Sequence, residues 1–472
     1  MNILDNLNEA QKKAVCHADG PLLIVAGAGT GKTKSIVSRI SWLVQNNLAR
    51  VDEILALTFT DKSANELLER VDIAMPYGYG EHWISTFNGF CDKILKRHAH
   101  ELGLNSNYRL LTETDAWILV RQNLEKFDLD YFCPAGNPSK FIKDLLKYFS
   151  RCKDEGISAK DYCQYAENLR LDSANREFVA TINWEDLAST ERESVKASEI
   201  KKQNELANAY FTYQKLLREN NALDFNDQIF LTWQLMQKSP LVLAQYRQQF
   251  KYVLIDEFQD TNYIQYELIK LLVQPKNNLT VVGDDDQSIY KFRGASISNI
   301  MQFMEDFPTA QKVVLTENYR SGQRILDCAY NFIVQNNPNR LEVKLGIDKK
   351  LIARNTEIGE CEVNCLNFAT GVDEASGIIE KIKEIKRQNS PDWSDFAILF
   401  RAKSSAEVLI DFLEREQIPY QFLGESGLYN RPAVIFCHNF FKLLDDYHES
   451  SAMYRILTMP QWNLKQEEII KI

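Results

Sequence analysis

The run AGAGTGKT, Ala26 to Thr33, follows an apolar segment and precedes a helical pattern that begins near Lys34. That context and those residue types suit a phosphate-binding loop. Gly27, Ala28, Gly29 and Gly31, with Thr30 among them, let backbone N–H groups curl around a β-phosphate, and the next helix adds partial positive charge at its N-terminus. Lys32 would neutralise phosphate oxygens, and Thr33 would offer a hydroxyl to Mg²⁺. Ala26 stands where the strict pattern has Gly, so the pattern is met in relaxed form.

Two further segments place acids at the end of apolar runs. In VLIDEFQDTN, Val253 to Asn262, Asp256 can hold Mg²⁺ through water, and Glu257 can orient and deprotonate an attacking water. Taken alone, an Asp-Glu pair after a strand reads equally well as a solvated turn; beside a phosphate loop it becomes a hydrolysis site. In VVGDDDQSIYKFRGA, Val281 to Ala295, Gln287 is suited to sensing a γ-phosphate. Tyr290, Phe292 and Arg293 are suited to meeting bases and backbone, because stacking on aromatic faces tolerates any base sequence. By itself this last run also fits a core aromatic pair beside an acidic loop.

These residues need elements to carry them. From Leu22 the chain alternates β-branched or Leu-rich runs with helical stretches: LLIVA, a helix, ILALTF, a helix, WISTF. Such a rhythm predicts βαβ units around a parallel sheet. Strand signal vanishes between about Glu101 and Asn221, which predicts a helical insertion, with a mobile segment in the charged stretch Trp184 to Lys202. Strands resume at YVLID, LTVVGD and KVVLT, completing the first sheet and leading into the next domain. A second βα rhythm follows, with strands expected at Cys361 to Phe368 and Asp395 to Arg401, and helices after each.

The three chemical segments, in this order, resemble the UvrD/Rep/PcrA branch of superfamily 1 helicases. LNEAQKKAV (Leu7 to Val15) looks like that family's adenine-reading segment, with Gln11 as reader. ILALTFTDKSANELLERV (Ile54 to Val71) resembles its first motif that contacts single strands, with Phe59 stacking on a base and Thr60 touching backbone. LDFNDQI (Leu223 to Ile229) resembles the pattern that closes the first core after its insertion. LTENYRS (Leu315 to Ser321) looks like the motif that opens the second core, where Tyr319 would stack on adenine and Arg320 would reach the γ-phosphate from across a cleft.

The resemblance implies an α/β P-loop NTPase with two RecA-like parallel-sheet cores and helical insertions. The first core would take residues 1–100 and 215–295, with a helical insertion at 101–214. The first part of the second core would be 296–430, and a second helical insertion would begin at 431–472. It further implies ATP with Mg²⁺, hydrolysis by Lys32, Glu257, Gln287 and Arg320, and translocation 3′ to 5′ on single-stranded DNA from duplex junctions with a 3′ tail. Four positions depart from the family's usual residues: Asn88 for a DNA-contacting His, Asp61 for Asn, Lys34 for an Arg beside the nucleotide, and Phe292 for Trp. A Ser-Lys-Gly motif and a final arginine-finger motif are not found, and the sequence runs out in the early part of the second insertion. A fragment that binds ATP and single strands without efficient turnover is therefore the alternative expectation.

Composition agrees with this class. The 472 residues are 45% hydrophobic and 25% charged, enough for at least three domains with their own cores. A net charge of −10 argues against coating duplex DNA yet leaves room for a narrow basic channel. Nine scattered cysteines predict reduced thiols in a cytoplasmic protein; the close pair Cys361 and Cys365 lies in a strand-like run rather than a ligand loop. No run approaches the ~18 apolar residues of a membrane span.

Overall fold

The structure is a computed structural model, and it describes residues 3–75, 82–171, 189–289, 298–356, 361–423, 432–445, 449–458 and 462. Contacts divide the chain into two compact units, Met1–Val363 and Asn364–Ile472.

Three strands lie in the first part of unit one: β1 (Leu22–Ala26), β2 (Ile54–Thr58) and β3 (Trp83–Thr86). Two-residue strands β4 (Arg109–Leu110) and β5 (Ala222–Leu223) pair with each other at the base of the insertion. The main sheet then gains β6 (Tyr252–Ile255), β7 (Leu279–Gly283) and β8 (Gln311–Leu315), in the order β3-β2-β6-β7-β1-β8 and parallel throughout. Every residue of β1, β2, β6 and β7 is buried, as a sheet covered on both faces requires.

Because successive strand residues face opposite sides, one set of alternate positions feeds each core. Leu22, Ile24, Ala26, Ala56 and Leu254 pack with α1 (Glu9–Val15), α2 (Lys32–Gln45) and α3 (Asp61–Ala74). Leu23, Val25, Leu57 and Ile255 pack on the other face with Phe90 and Ile94 of α4 (Phe87–His98). The chain then leaves the sheet as α5 (Glu113–Gln122), α6 (Ile142–Asp154), α7 (Ala159–Leu171) and α8 (Ser189–Glu219). It returns through α9 (Phe225–Lys238), α10 (Pro240–Gln249), α11 (Tyr263–Val273) and α12 (Ser298–Asp306), which complete the second face.

The insertion has a core of its own, in which Phe149 stacks on Tyr210 and Tyr213 at 5.1 and 5.4 Å. From Ser189 onward the charged stretch expected to be mobile is the start of the 31-residue helix α8, and residues 184–188 lie outside the described residues. A buried joint ties the insertion to the sheet. Lys153 of α6 pairs with Asp224 at 2.6 Å and Asp227 at 2.7 Å, at the N-terminus of α9. Next to it Asp154 accepts from Asn226 and from Asn262, the cap of α11.

β8, the KVVLT strand expected to complete the first sheet, lies past the expected end of the first core at residue 295 and pairs with β1 from Leu22↔Gln311 to Ala26↔Leu315. The reason is that β1, buried along its whole length, would otherwise carry an unpaired edge in the interior. After β8 come β9 (Glu317–Asn318), α13 (Gln323–Ile333), α14 (Leu341–Leu345) and β10 (Ile352–Ala353), the last paired with β9.

In the second unit α15 (Gly371–Asn389) and α16 (Ser404–Arg415) pack through Ala375, Ile379, Leu409 and Leu413, followed by α17 (Pro432–Asp445) and α18 (Ser450–Leu457). The strands expected at residues 361–368 and 395–401 are not formed among the described residues. In the second of them Leu399 is 94% exposed.

Candidate functional site

Parallel strands bring their C-terminal ends to one rim, and β7 lies between β1 and β6. The loop after β1, the Asp256-Glu257 pair after β6 and the turn after β7 therefore meet there. Ala26 is the buried last residue of β1. Gly29 and Gly31 take left-handed φ of 77° and 84°. A Cβ at Gly29 would stand 2.7 Å from Arg320 Cβ and Asn318 Nδ2, and one at Gly31 2.7 Å from Gln11 Nε2. Only glycine allows this close approach with this backbone. Thr30 is fully buried, its hydroxyl donating to the Gly27 carbonyl at 2.8 Å. Lys32 and Thr33 open α2.

Lys32 Nζ donates to both oxygens of Glu257 at 2.8 Å and to Gln287 Oε1 at 3.3 Å. Three strand ends thus contribute to one hydrogen-bonded cluster. Gln287 Nε2 in turn donates to Asp284 Oδ2 at 2.7 Å. Glu257 has φ of 49°, and its N–H is held by Asp256 Oδ1 at 2.9 Å. Burial and the neighbouring Glu257 push the Asp256 carboxyl up to about 6, against the pull of Lys32. The same two causes raise Asp260 to about 6, and its Oδ1 is buried without a hydrogen-bond partner among the described residues. Crowded carboxylates around one lysine form a site that favours added positive charge. The Thr33 hydroxyl and the Asp256 carboxylate are hard oxygen donors of the kind Mg²⁺ takes, so the residues fit that ion.

The acidic turn after β7 does not itself offer a metal site. Asp284, Asp285 and Asp286 have carboxylate oxygens within 4.8 Å of one another. Lys349 fills the centre, donating to Asp284 at 2.6 Å, to Asp286 at 2.8 Å and to Asp285, and Arg340 pairs with Asp286 at 2.7 Å.

Tyr319 and Arg320 sit on the loop itself, in the same unit, rather than across a cleft. The pairing of β8 with β1 delivers residues 316–321 there: Tyr319 N–H donates to the Gly29 carbonyl at 2.9 Å, and Asn318 Nδ2 to the Ala28 carbonyl at 2.6 Å. Tyr319 is 42% exposed, with its hydroxyl bonded to Asn8 and Glu317. Arg320 is exposed, and its guanidinium has no hydrogen bond or ion pair among the described residues. Gln11 is only 1% exposed: its Oε1 accepts from Asn8 N–H in a capping box and its Nε2 donates to the Thr30 carbonyl, bracing the loop from behind. Lys34 Nζ donates to the Asn6 carbonyl at 2.5 Å.

Of the residues expected on the DNA path, Phe59, Thr60 and Asn88 are elsewhere on the rim. Phe59 follows β2, half-buried, and Thr60 caps α3 by accepting from Ser63 N–H. Asn88, near the start of α4, donates to the Phe225 carbonyl at 2.7 Å and Gln228 at 3.1 Å, so its amide joins α4 to α9. Asp61 accepts from the Thr86 hydroxyl. Tyr290, Phe292 and Arg293 lie outside the described residues.

Sequence reasoning missed Gln259, Asn318 and Lys349. The first two lie inside the quoted segments, but an amide between chemically louder neighbours carries no spacing signal. Lys349 is more than sixty residues from the acids it neutralises. Arg39 was missed as well. It is 1% exposed and joins the carbonyls of Ala14, Val15 and His17 to Thr280 of β7, with burial lowering its pKa to about 10. Among the described residues no helix is long and apolar enough to cross a membrane.

Comparison with known proteins supplies the family. The UvrD/REP helicase N-terminal domain matches residues 7–308, and the UvrD-like helicase C-terminal domain matches residues 313–472. The ATP-dependent DNA helicase PcrA of Leuconostoc citreum is 32% identical over 472 residues, which cover all of this chain and 57% of the relative. PcrA of Bacillus subtilis (strain 168) is 32% identical over 477 residues, with the same coverage, and PcrA of Staphylococcus aureus (strain Mu50 / ATCC 700699) is 32% identical over 470 residues, covering 58% of it. The chain thus spans under three-fifths of the length of these relatives. With both domain matches laid over a phosphate loop that meets Glu257 and Gln287, the chain belongs to the UvrD/REP helicase family.

Proposed function

We propose that this chain is the motor part of an ATP-dependent DNA helicase that moves 3′ to 5′ on single-stranded DNA and separates strands at junctions with a 3′ tail. One observation carries the ATPase half of that reading: Lys32, Glu257 and Gln287, from three strand ends, share one hydrogen-bonded cluster. Phosphates entering the loop of residues 26–33 would draw Lys32 away from Glu257, and the freed carboxylate would accept the proton of the attacking water. Mg²⁺, held through Thr33 and Asp256, would supply charge for the β- and γ-phosphate oxygens. Gln287 would then report the γ-phosphate to the turn after β7.

The adenine would lie on the exposed Tyr319 ring, with Lys34 alongside. Reading its edge would require the Gln11 amide to exchange the Thr30 carbonyl for the base. Arg320, exposed and unpaired among the described residues, is available to the transferring phosphoryl group. Single-stranded DNA would follow Phe59, Thr60 and Asn88 along the rim, and continue over Tyr290, Phe292 and Arg293. Cysteines that form no disulfide among the described residues fit work in the cytoplasm, in DNA repair, replication or recombination.

The test is the ATPase rate of this chain with and without single-stranded DNA. Turnover stimulated by DNA and lost in Lys32→Ala supports a coupled motor. Nucleotide binding without turnover would reduce the chain to an ATP- and DNA-binding part, and unchanged turnover in Lys32→Ala would remove the phosphate-loop assignment.

A further inference from the structure

Gln259 lies two residues past Glu257 and is 1% exposed. Its Oε1 accepts the backbone N–H of Asp284 at 3.0 Å, and its Nε2 donates to Glu257 Oε2 at 2.7 Å. The amide can sit only this way round. A backbone N–H must face an acceptor and a carboxylate must face a donor, so a flipped amide would lose both bonds. The fit is close: a Cβ at Gly283 would stand 2.7 Å from Gln259 Oε1, so the amide reaches the end of β7 only because residue 283 is glycine.

Among the described residues Glu257 has two side-chain hydrogen-bond partners, Lys32 and Gln259. They differ in what a nucleotide does to them. Phosphate in the loop competes for the lysine charge, whereas the Gln259 amide is neutral, enclosed and anchored to backbone. Once Lys32 turns to phosphate, Gln259 is the contact left to hold the carboxylate. Its other end rests on Asp284, the first residue of the turn that carries Gln287, and Asp284 Oδ2 itself accepts from Gln287. A shift of that turn is therefore felt at Glu257 through one side chain.

We propose that Gln259 is a positioning residue for hydrolysis, holding Glu257 when Lys32 leaves it and tying the setting of Glu257 to the turn after β7. This rests on the reading of Glu257 as the group that activates water. Loss of one hydrogen bond to a charged group corresponds to roughly a ten- to hundred-fold change in rate where the bond is needed in the transition state.

The experiment measures DNA-stimulated ATPase kinetics and ADP affinity for the parent chain, Gln259→Met, the isosteric Gln259→Glu, Glu257→Gln and the double variant Glu257→Gln/Gln259→Met. Expected is a kcat about ten-fold lower or more in both Gln259 variants, with KM and ADP affinity within about two-fold of the parent. In the Glu257→Gln background the Gln259→Met change should cost little further, because its effect passes through Glu257. A structural role would instead change KM and ADP affinity along with kcat and add fully to Glu257→Gln, and that pattern overturns the proposal. So does parental kcat in either Gln259 variant while Glu257→Gln is inactive, which leaves the reading of Glu257 standing. Full turnover in Glu257→Gln, or a parent no faster than Lys32→Ala, overturns that reading and the role of Gln259 with it.

Discussion

Lys32 Nζ donates to both carboxylate oxygens of Glu257 at 2.8 Å, so the cation of the phosphate loop is already engaged by the acid that faces it. The lysine side chain is 11% exposed and the glutamate 32%, which makes this a partly sheltered pair rather than a surface contact. On the proposed function, nucleotide binding would exchange that partner for phosphate and so free a carboxylate next to the site where a base is needed.

Glu257→Gln should therefore separate binding from hydrolysis. The neutral amide competes less for Lys32, so nucleotide affinity should rise about three- to ten-fold, in line with loss of a pair worth about 1 kcal/mol. Hydrolysis should fall steeply, to a residual rate still measurable above that of Lys32→Ala. Fluorescent-nucleotide titration beside a phosphate-release assay checks both, and weaker nucleotide binding in the variant would contradict the competition.

At Gly29 a methyl group meets both a left-handed φ and two atoms at 2.7 Å. Gly29→Ala should push residues 318–320 off the loop and lower nucleotide affinity about ten-fold. Isothermal titration with ADP reads this directly. An unchanged affinity would show that the Asn318 and Tyr319 contacts do not shape the loop.

Removing the charge of Lys349 leaves three clustered carboxylates, two of them buried, without their central cation. Lys349→Met should destabilise the first unit by about 3–5 kcal/mol, the range for breaking a buried ion pair from one side. Urea denaturation followed by tryptophan fluorescence measures it. A loss below about 1 kcal/mol would mean that the acids had shed their charge or found water instead.

Burial raises Asp154 from the ordinary 3.8 to about 7. Between those values the folded chain holds a proton that the unfolded chain has released, so this residue makes stability fall as pH rises from about 4 to 7. Asp154→Asn keeps an oxygen for Asn226 and Asn262 and removes the titration. The variant should match the parent near pH 4 and exceed it by up to about 4 kcal/mol at pH 8, at about 1.4 kcal/mol for each pKa unit. Equal pH slopes in the two proteins, from denaturation series at several pH values, would rule Asp154 out as the source.

The sequence alone determined the phosphate loop, the acids after YVLI and the sheet that carries them. Those features depend on neighbours in the chain: a buried parallel strand must be apolar throughout, a loop cradling phosphate must be small, and a helix must start just after it. The long insertion was legible for the same reason, because helical periodicity is local. Only the tertiary structure decided that β8 belongs beside β1, which sets Tyr319 and Arg320 on the loop. The same holds for Lys349 among the three aspartates and for Asn88 turned toward Phe225. In each case the deciding partner comes from a distant part of the chain. An alternating or apolar run states which faces can be buried, but which edge, charge or amide completes it depends on what packing brings alongside.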